Sequence, residues 1–114
     1  MKIVRINTLG EMSNGHFLQK LLPGTVIYKG GFSLGLPGKR THSFDGPEGS
    51  DWHVHDDYEL FIVLQGCGEL EVNQKRCPVR CGDVIIIEPG EDHHLISDMQ
   101  EPLIVSYCHA RSQL

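Results

Sequence analysis

Two imidazoles separated by one residue, His53-Val54-His55, are followed after three more residues by the carboxylate of Glu59. On a strand, a spacing of two points both rings to the same face. Asp56-Asp57-Tyr58 reads as a turn, after which Glu59 opens the next strand and shares a side with Phe61 and Val63. A carboxylate thus stands at the mouth of an otherwise apolar face. Such a charge is costly to bury alone, and a cation beside two neutral imidazoles is its natural partner. A second stretch, Gly82 to His93, is an apolar run that ends in a Pro89-Gly90 turn and delivers another imidazole, His93, from a separate part of the chain.

The segments that must position these groups are short and rich in Val, Ile, Leu and Phe, and 13 Gly and 6 Pro punctuate them. That pattern indicates an all-β sandwich or barrel. Strands are expected at Thr25–Lys29, Phe32–Leu36, Trp52–His55, Glu59–Gln65, Gly68–Val72, Cys77–Arg80, Val84–Ile87 and Leu103–Cys108, with a tight hairpin turn at Asn73-Gln74. Only Ser13–Leu22 could hold a short helix. Leu60–Leu64 and Val84–Ile87 are apolar at every position, so both faces of each should be covered. One face can line a barrel interior. A partner subunit across a two-fold axis is the expected cover for the other, which predicts a homodimer.

The spacing of these groups resembles that of the cupin superfamily. Its first motif runs G-x5-H-x-H-x3-4-E-x6-G, and His53, His55, Glu59 and Gly66 fall at matching intervals. Its second runs G-x5-P-x-G-x2-H-x3-N, and Gly82, Gly90 and His93 match it, 15 residues lying between the two motifs. Pro47 stands where the first motif opens with glycine, Glu88 where the second has proline, and Ser97 where it ends in asparagine. These departures touch loop positions, not ligands. The resemblance implies one cupin domain over residues 1–114, with motifs at about 49–66 and 82–97, folded as an antiparallel jelly-roll β-barrel. It also implies that His53, His55, Glu59 and His93 hold one divalent transition metal per subunit, which could be Fe, Mn, Ni, Cu or Zn.

The remaining chemistry-bearing residues have plainer readings. His94 follows His93 and points the opposite way, to the surface or behind the ligands. His16, His42 and His109 lie outside both motifs and read as exposed, His42 alone being placed to overhang the pocket rim. Trp52 faces away from the metal and should pack; Phe61 and Val63 should wall the pocket. Cys77 and Cys81, with Cys67 and Cys108 distant, fit a thiolate zinc site poorly and read as small core residues.

Composition sets the outer limits. The chain has 114 residues, a net charge of −5 with histidine neutral, 22% charged and 39% hydrophobic residues. An acidic balance argues against nucleic acid, whose phosphates need a basic stripe. No apolar run approaches the roughly 20 residues of a membrane span, and no signal peptide is evident at the start. Four cysteines without a secretory signal indicate reduced thiols in the cytoplasm. The expected function is a small metal-dependent enzyme, of oxygenase or isomerase/lyase type, acting on a compact polar metabolite. The competing expectation is a non-catalytic module that binds or senses a sugar or organic acid. No catalytic acid or base is singled out among Tyr58, Glu88 and His42.

Overall fold

A computed structural model of the protein describes residues 1–11, 21–42 and 52–113. The helix expected at Ser13–Leu22 and the site of His16 lie largely or wholly outside them. Eight strands form two antiparallel sheets: β1 (Lys2–Arg5), β2 (Thr25–Leu34), β3 (Tyr58–Gln65), β4 (Cys67–Val72), β5 (Lys75–Arg80), β6 (Asp83–Ile87), β7 (His93–Ser97) and β8 (Ile104–Ser112). The order is β1-β6-β3-β8-β2 in one sheet and β5-β4-β7 in the other. From β3 onward the chain passes back and forth between the sheets, the path of a jelly roll. The two sheets enclose a core of Phe61, Val63, Ile85, Ile87 and Val105 against Leu70, Val72, Val79 and Leu95.

Tight corners make those crossings. Gly66 joins β3 to β4 with φ +80°, and a Cβ there would meet the Pro102 carbonyl oxygen at 2.0 Å. Only glycine fits such a corner. The hairpin at Asn73-Gln74 is present with φ of 48° and 69°, the left-handed pair that matches strand twist.

Three expectations about strands need correction. Thr25–Lys29 and Phe32–Leu36 are one continuous strand, because Gly30-Gly31 does not break it. A Cβ at Gly30 would lie 2.6 Å from the Tyr107 carbonyl oxygen, so the missing side chain lets β8 approach. The register instead slips at Tyr28, between Ile27 and Lys29. Trp52–His55 is not a strand. It is an extended segment tied to the loop before β7 by Gly90 N–H to the His55 carbonyl (3.0 Å) and His93 N–H to the His53 carbonyl (3.2 Å). The short strands β1 and β7 escape a reading based on apolar runs, since each mixes charged or imidazole residues with few aliphatic ones.

The outer face of β3 is covered only in part, since Leu64 is 46% exposed, and the cover that exists on β3 and β6 comes from the chain itself. Leu60, Val84 and Ile86 are 2%, 0% and 5% exposed because Leu9, Leu22 and Ala110 of the same chain pack on them. Leu9 comes from the 3₁₀ helix Ile6–Glu11. A partner subunit is therefore not needed for those residues. Farther along the same face, Phe32 and Leu34 on β2 stay 72% and 70% exposed.

Candidate metal centre

Ladder register carries the site. Glu59 on β3 pairs with Ile87 on one side and His109 on the other, four ladder pairs from Val63↔Val105 in the core. In the small sheet, His93 pairs with Val72, and Leu95 with Leu70 behind it. Alternation along each strand therefore turns Glu59, His93 and His109 inward at one end of the barrel. His53 and His55 reach the same end from the extended segment before β3.

The cleft they line has a volume of about 660 Å³, with Phe61, Leu95 and Tyr107 among its walls. Ring nitrogens of His53, His55 and His93 lie within 4.8 Å of one another, and donor atoms of His55, Glu59 and His109 do likewise. Glu59 links the two groups. Its Oε1 is 3.1 Å from His55 Nε2 and 2.9 Å from His93 Nε2, and its Oε2 is 3.1 Å from His109 Nε2. The other nitrogens face oxygens too. His55 Nδ1 is 2.5 Å from Asp57 Oδ1, His93 Nδ1 2.9 Å from the Glu91 carbonyl, and His109 Nδ1 3.1 Å from Asp57 Oδ2. His53 stacks on His42 at 3.7 Å between centroids.

The donor set suits a divalent transition metal. Two acceptors that face each other, an imidazole lone pair and a carboxylate, need a proton or a cation between them. With the Nδ1 of His55, His93 and His109 each held by an oxygen, Nε2 is the nitrogen those three rings have left for coordination, the arrangement found where outer partners fix the tautomer of a metal-bound histidine. Burial pushes the Glu59 carboxyl up, but hydrogen bonds from His55 and His93 and the positive field of the imidazoles outweigh it and hold the group down to about 2. Glu59 raises the His55 imidazole in turn, against a smaller effect of burial.

Two residues organise the rim. Asp92 accepts the His53 backbone N–H (2.6 Å) and lies 3.1 Å from His94 Nε2, while its own N–H donates to Asn73 Oδ1 (3.1 Å). The β4–β5 hairpin thereby steadies the loop that presents His93. Asp57, buried beneath His55 and His109, also accepts the Tyr28 hydroxyl. Burial opposes ionisation of Asp57, but these hydrogen bonds prevail and lower its pKa. Tyr28 is the bulge residue of β2, and a bulge re-aims its side chain.

His53, His55, Glu59 and His93 thus come together, and several neighbours differ from expectation. His109 is not an exposed residue; it lines the cleft. His94 is fully buried, between Asp92 and the Thr41 carbonyl, which removes the surface reading and leaves it behind the candidate ligands. His42 is exposed and lines the cleft rim, as expected. Tyr58 packs in the outer cluster and Glu88 is exposed, so neither faces the site. Phe61 walls the cleft, whereas Val63 sits deeper in the core. Trp52 is 44% exposed. Cys81 is exposed and Cys77 half-buried, so the core reading fails for the first and holds in part for the second. Asp57 read as a turn residue, and its role was missed.

A family model described as "Cupin domain" matches residues 44–108, more than half of the chain. No curated protein matches the sequence. Among solved structures, plu4264 from Photorhabdus luminescens is 29% identical with a TM-score of 0.57, covering 74% of this chain and 62% of that one. The chain therefore spans less than two thirds of that protein's length. A cupin protein, BF4112, from Bacteroides fragilis is 16% identical with a TM-score of 0.60, covering 83% and 73%. KdgF from Halomonas sp. is 17% identical with a TM-score of 0.54, covering 80% and 83%. The last two likenesses show the fold.

Proposed function

The chain belongs to the cupin family, and within it we propose a small metal-dependent enzyme that acts on a compact polar metabolite. His53, His55, Glu59 and His93 hold one divalent transition metal per subunit in this reading. One observation carries it: imidazoles from separate segments aim Nε2 at a single buried carboxylate, inside a cleft of small-molecule size. A metal so held supplies Lewis-acid or oxygen-activating chemistry.

The chain's own residues do the rest. The Glu91 carbonyl and Asp57 hold the Nδ1 edges of His93 and His55, so the rings keep one tautomer through turnover. Phe61, Leu95 and Tyr107 restrict water on the inner wall, and Lys29, Ser33 and Thr41 add polar groups to the lining. The free thiols of all four cysteines support a reducing compartment, the cytoplasm. Among the described residues no helix is long and apolar enough to cross a membrane. A homodimer is part of the reading, formed through the outer face that carries Phe32 and Leu34, which no described residue of the chain buries.

Elemental analysis of protein purified without a metal-binding tag is the first test, with about one transition metal per chain expected. Oxygen uptake after anaerobic Fe(II) loading, across small thiols, diketones and phenols, then separates oxygenase from isomerase/lyase chemistry. A loaded protein that turns over none of its candidate substrates, yet gains thermal stability with a sugar or acid recovered unchanged, refutes the enzyme and leaves a binding module.

A further inference from the structure

Resting on that metal-centre reading, we infer that His109 of β8 is a further donor to the same ion, from a strand outside both histidine motifs. The ladder places it there. Glu59↔His109 is a direct cross-strand pair, following Phe61↔Tyr107 and Val63↔Val105 on the inward side of β3 and β8. The inward row runs from aliphatic through aromatic to ionisable side chains as it approaches the mouth.

Ring orientation is the second argument. His109 turns Nε2 to Glu59 (3.1 Å) and Nδ1 to Asp57 (3.1 Å). His55 does the same with the same two carboxylates, and His93 does so with Glu59 and a backbone carbonyl. All three rings are thus prepared alike for coordination through Nε2. A histidine serving only as an ion-pair partner of Glu59 would need no second carboxylate behind it. Asp57 is itself buried and is held by the Tyr28 hydroxyl, an expensive support for a simple pair. A buried carboxylate behind an imidazole is what metal-bound histidines commonly have. Donor atoms of His55, Glu59 and His109 also lie within 4.8 Å of one another, the same closeness as the His53, His55 and His93 group.

The consequence concerns substrate. A fifth protein donor leaves at most one position on a six-coordinate ion, so an incoming ligand binds through a single atom rather than as a chelate.

The test loads the full chain with Co(II) and records proton NMR. Each imidazole bound through Nε2 contributes one hyperfine-shifted, solvent-exchangeable ring N–H. The wild type is expected to show four such signals. His109→Gln should lose one and weaken Co(II) in chelator competition by about ten-fold or more. Asp57→Asn, which keeps the His109 ring, should retain the signal count with weaker binding. Three signals in the wild type, with neither count nor affinity changed by His109→Gln, overturn the inference and leave the metal centre standing. The wild-type count decides the matter even where a variant fails to fold. Wild-type protein that binds no Co(II) overturns the metal-centre reading itself, and this inference with it.

Discussion

The mouth and the base of the barrel are built from the same strands and differ in what two residue pairs contribute. At the base, Val63 and Val105 face Leu70 and Leu103, all 2% exposed or less. At the mouth, Glu59 and His109 face His55 and His93, and their polar atoms satisfy one another. Sheet geometry is continuous between the two ends, so the backbone does not distinguish them. Side-chain chemistry does. The base supplies apolar burial to stabilise the fold, whereas the mouth concentrates charges and imidazoles that need a cation or protons to coexist.

The largest expected effect separates the two ends. Leu70→Ala, in the base, leaves a cavity in a fully buried site and should lower stability by about 2–5 kcal/mol. Metal per folded chain should stay unchanged. The reciprocal change, His53→Ala with His55→Ala, should reduce bound metal from about one per chain to background. Its urea midpoint, measured without metal, should move less than that of Leu70→Ala. A double variant that keeps its metal breaks the division. So does a Leu70→Ala protein that stays folded but has lost its metal.

How far this division could be seen in advance depended on the distance over which each signal acts. His53, His55 and Glu59 announce themselves through local spacing, and the Gly82 to His93 stretch through its strand and turn. His109 does not, because its partner lies fifty residues away in the chain. One signal was present: Val105, Tyr107 and His109 alternate, and carrying the last strand past Cys108 would have turned His109 inward with them. Strand ends are the least certain part of such a reading. Asp57 looked like a turn residue because aspartate favours turns; only the fold shows two imidazoles and a tyrosine converging on it. The N-terminal cover of Leu60, Val84 and Ile86 was hidden for another reason. It is made by two separated leucines, Leu9 and Leu22, in segments without a strand pattern.

A narrower test probes the support beneath the mouth. Asp57→Asn keeps size but removes the charge behind His55 and His109, and should weaken metal binding by about 10–100-fold. Chelator competition reads this directly. An unchanged affinity would mean that the charge of Asp57 does not support the rings.

Acidity should act on the mouth in two opposite directions. Glu59, held down to about 2, contributes stability that is complete above its unfolded value of about 4.3 and disappears as pH falls through about 2. Asp57, also lowered, acts in the same sense. His55, raised by Glu59, contributes fully below its unfolded value of about 6.5 and is lost as pH rises through its higher folded value. The metal-free protein should therefore be more stable to urea at about pH 5.5 than at about pH 8. Metal affinity should run the other way, since the ion replaces the proton on His55 and gains as that proton leaves. Urea midpoints with and without metal, taken at both pH values, read the crossing. Metal-free stability that rises between the two values would contradict the protonated arrangement at Glu59.

The smallest expected effect concerns a third surface, outside both ends. Phe32 and Leu34 lie on β2, and Phe32 shares a row with Ser106 and Ile62 across the sheet. Each is already about as solvated as it would be in the unfolded chain. Phe32→Ser should thus alter the stability of a single folded chain by no more than about 0.5 kcal/mol. Aromatic side chains near the centre of an interface commonly dominate its affinity. If two copies meet on this face, the same substitution should convert the dimer to monomer in sedimentation velocity while leaving its metal content intact. A dimer that survives Phe32→Ser together with Leu34→Ser would move the interface elsewhere. A wild type that sediments as a monomer would leave the exposed row without a partner copy, Leu9 and Leu22 covering only Leu60, Val84 and Ile86 of the outer face.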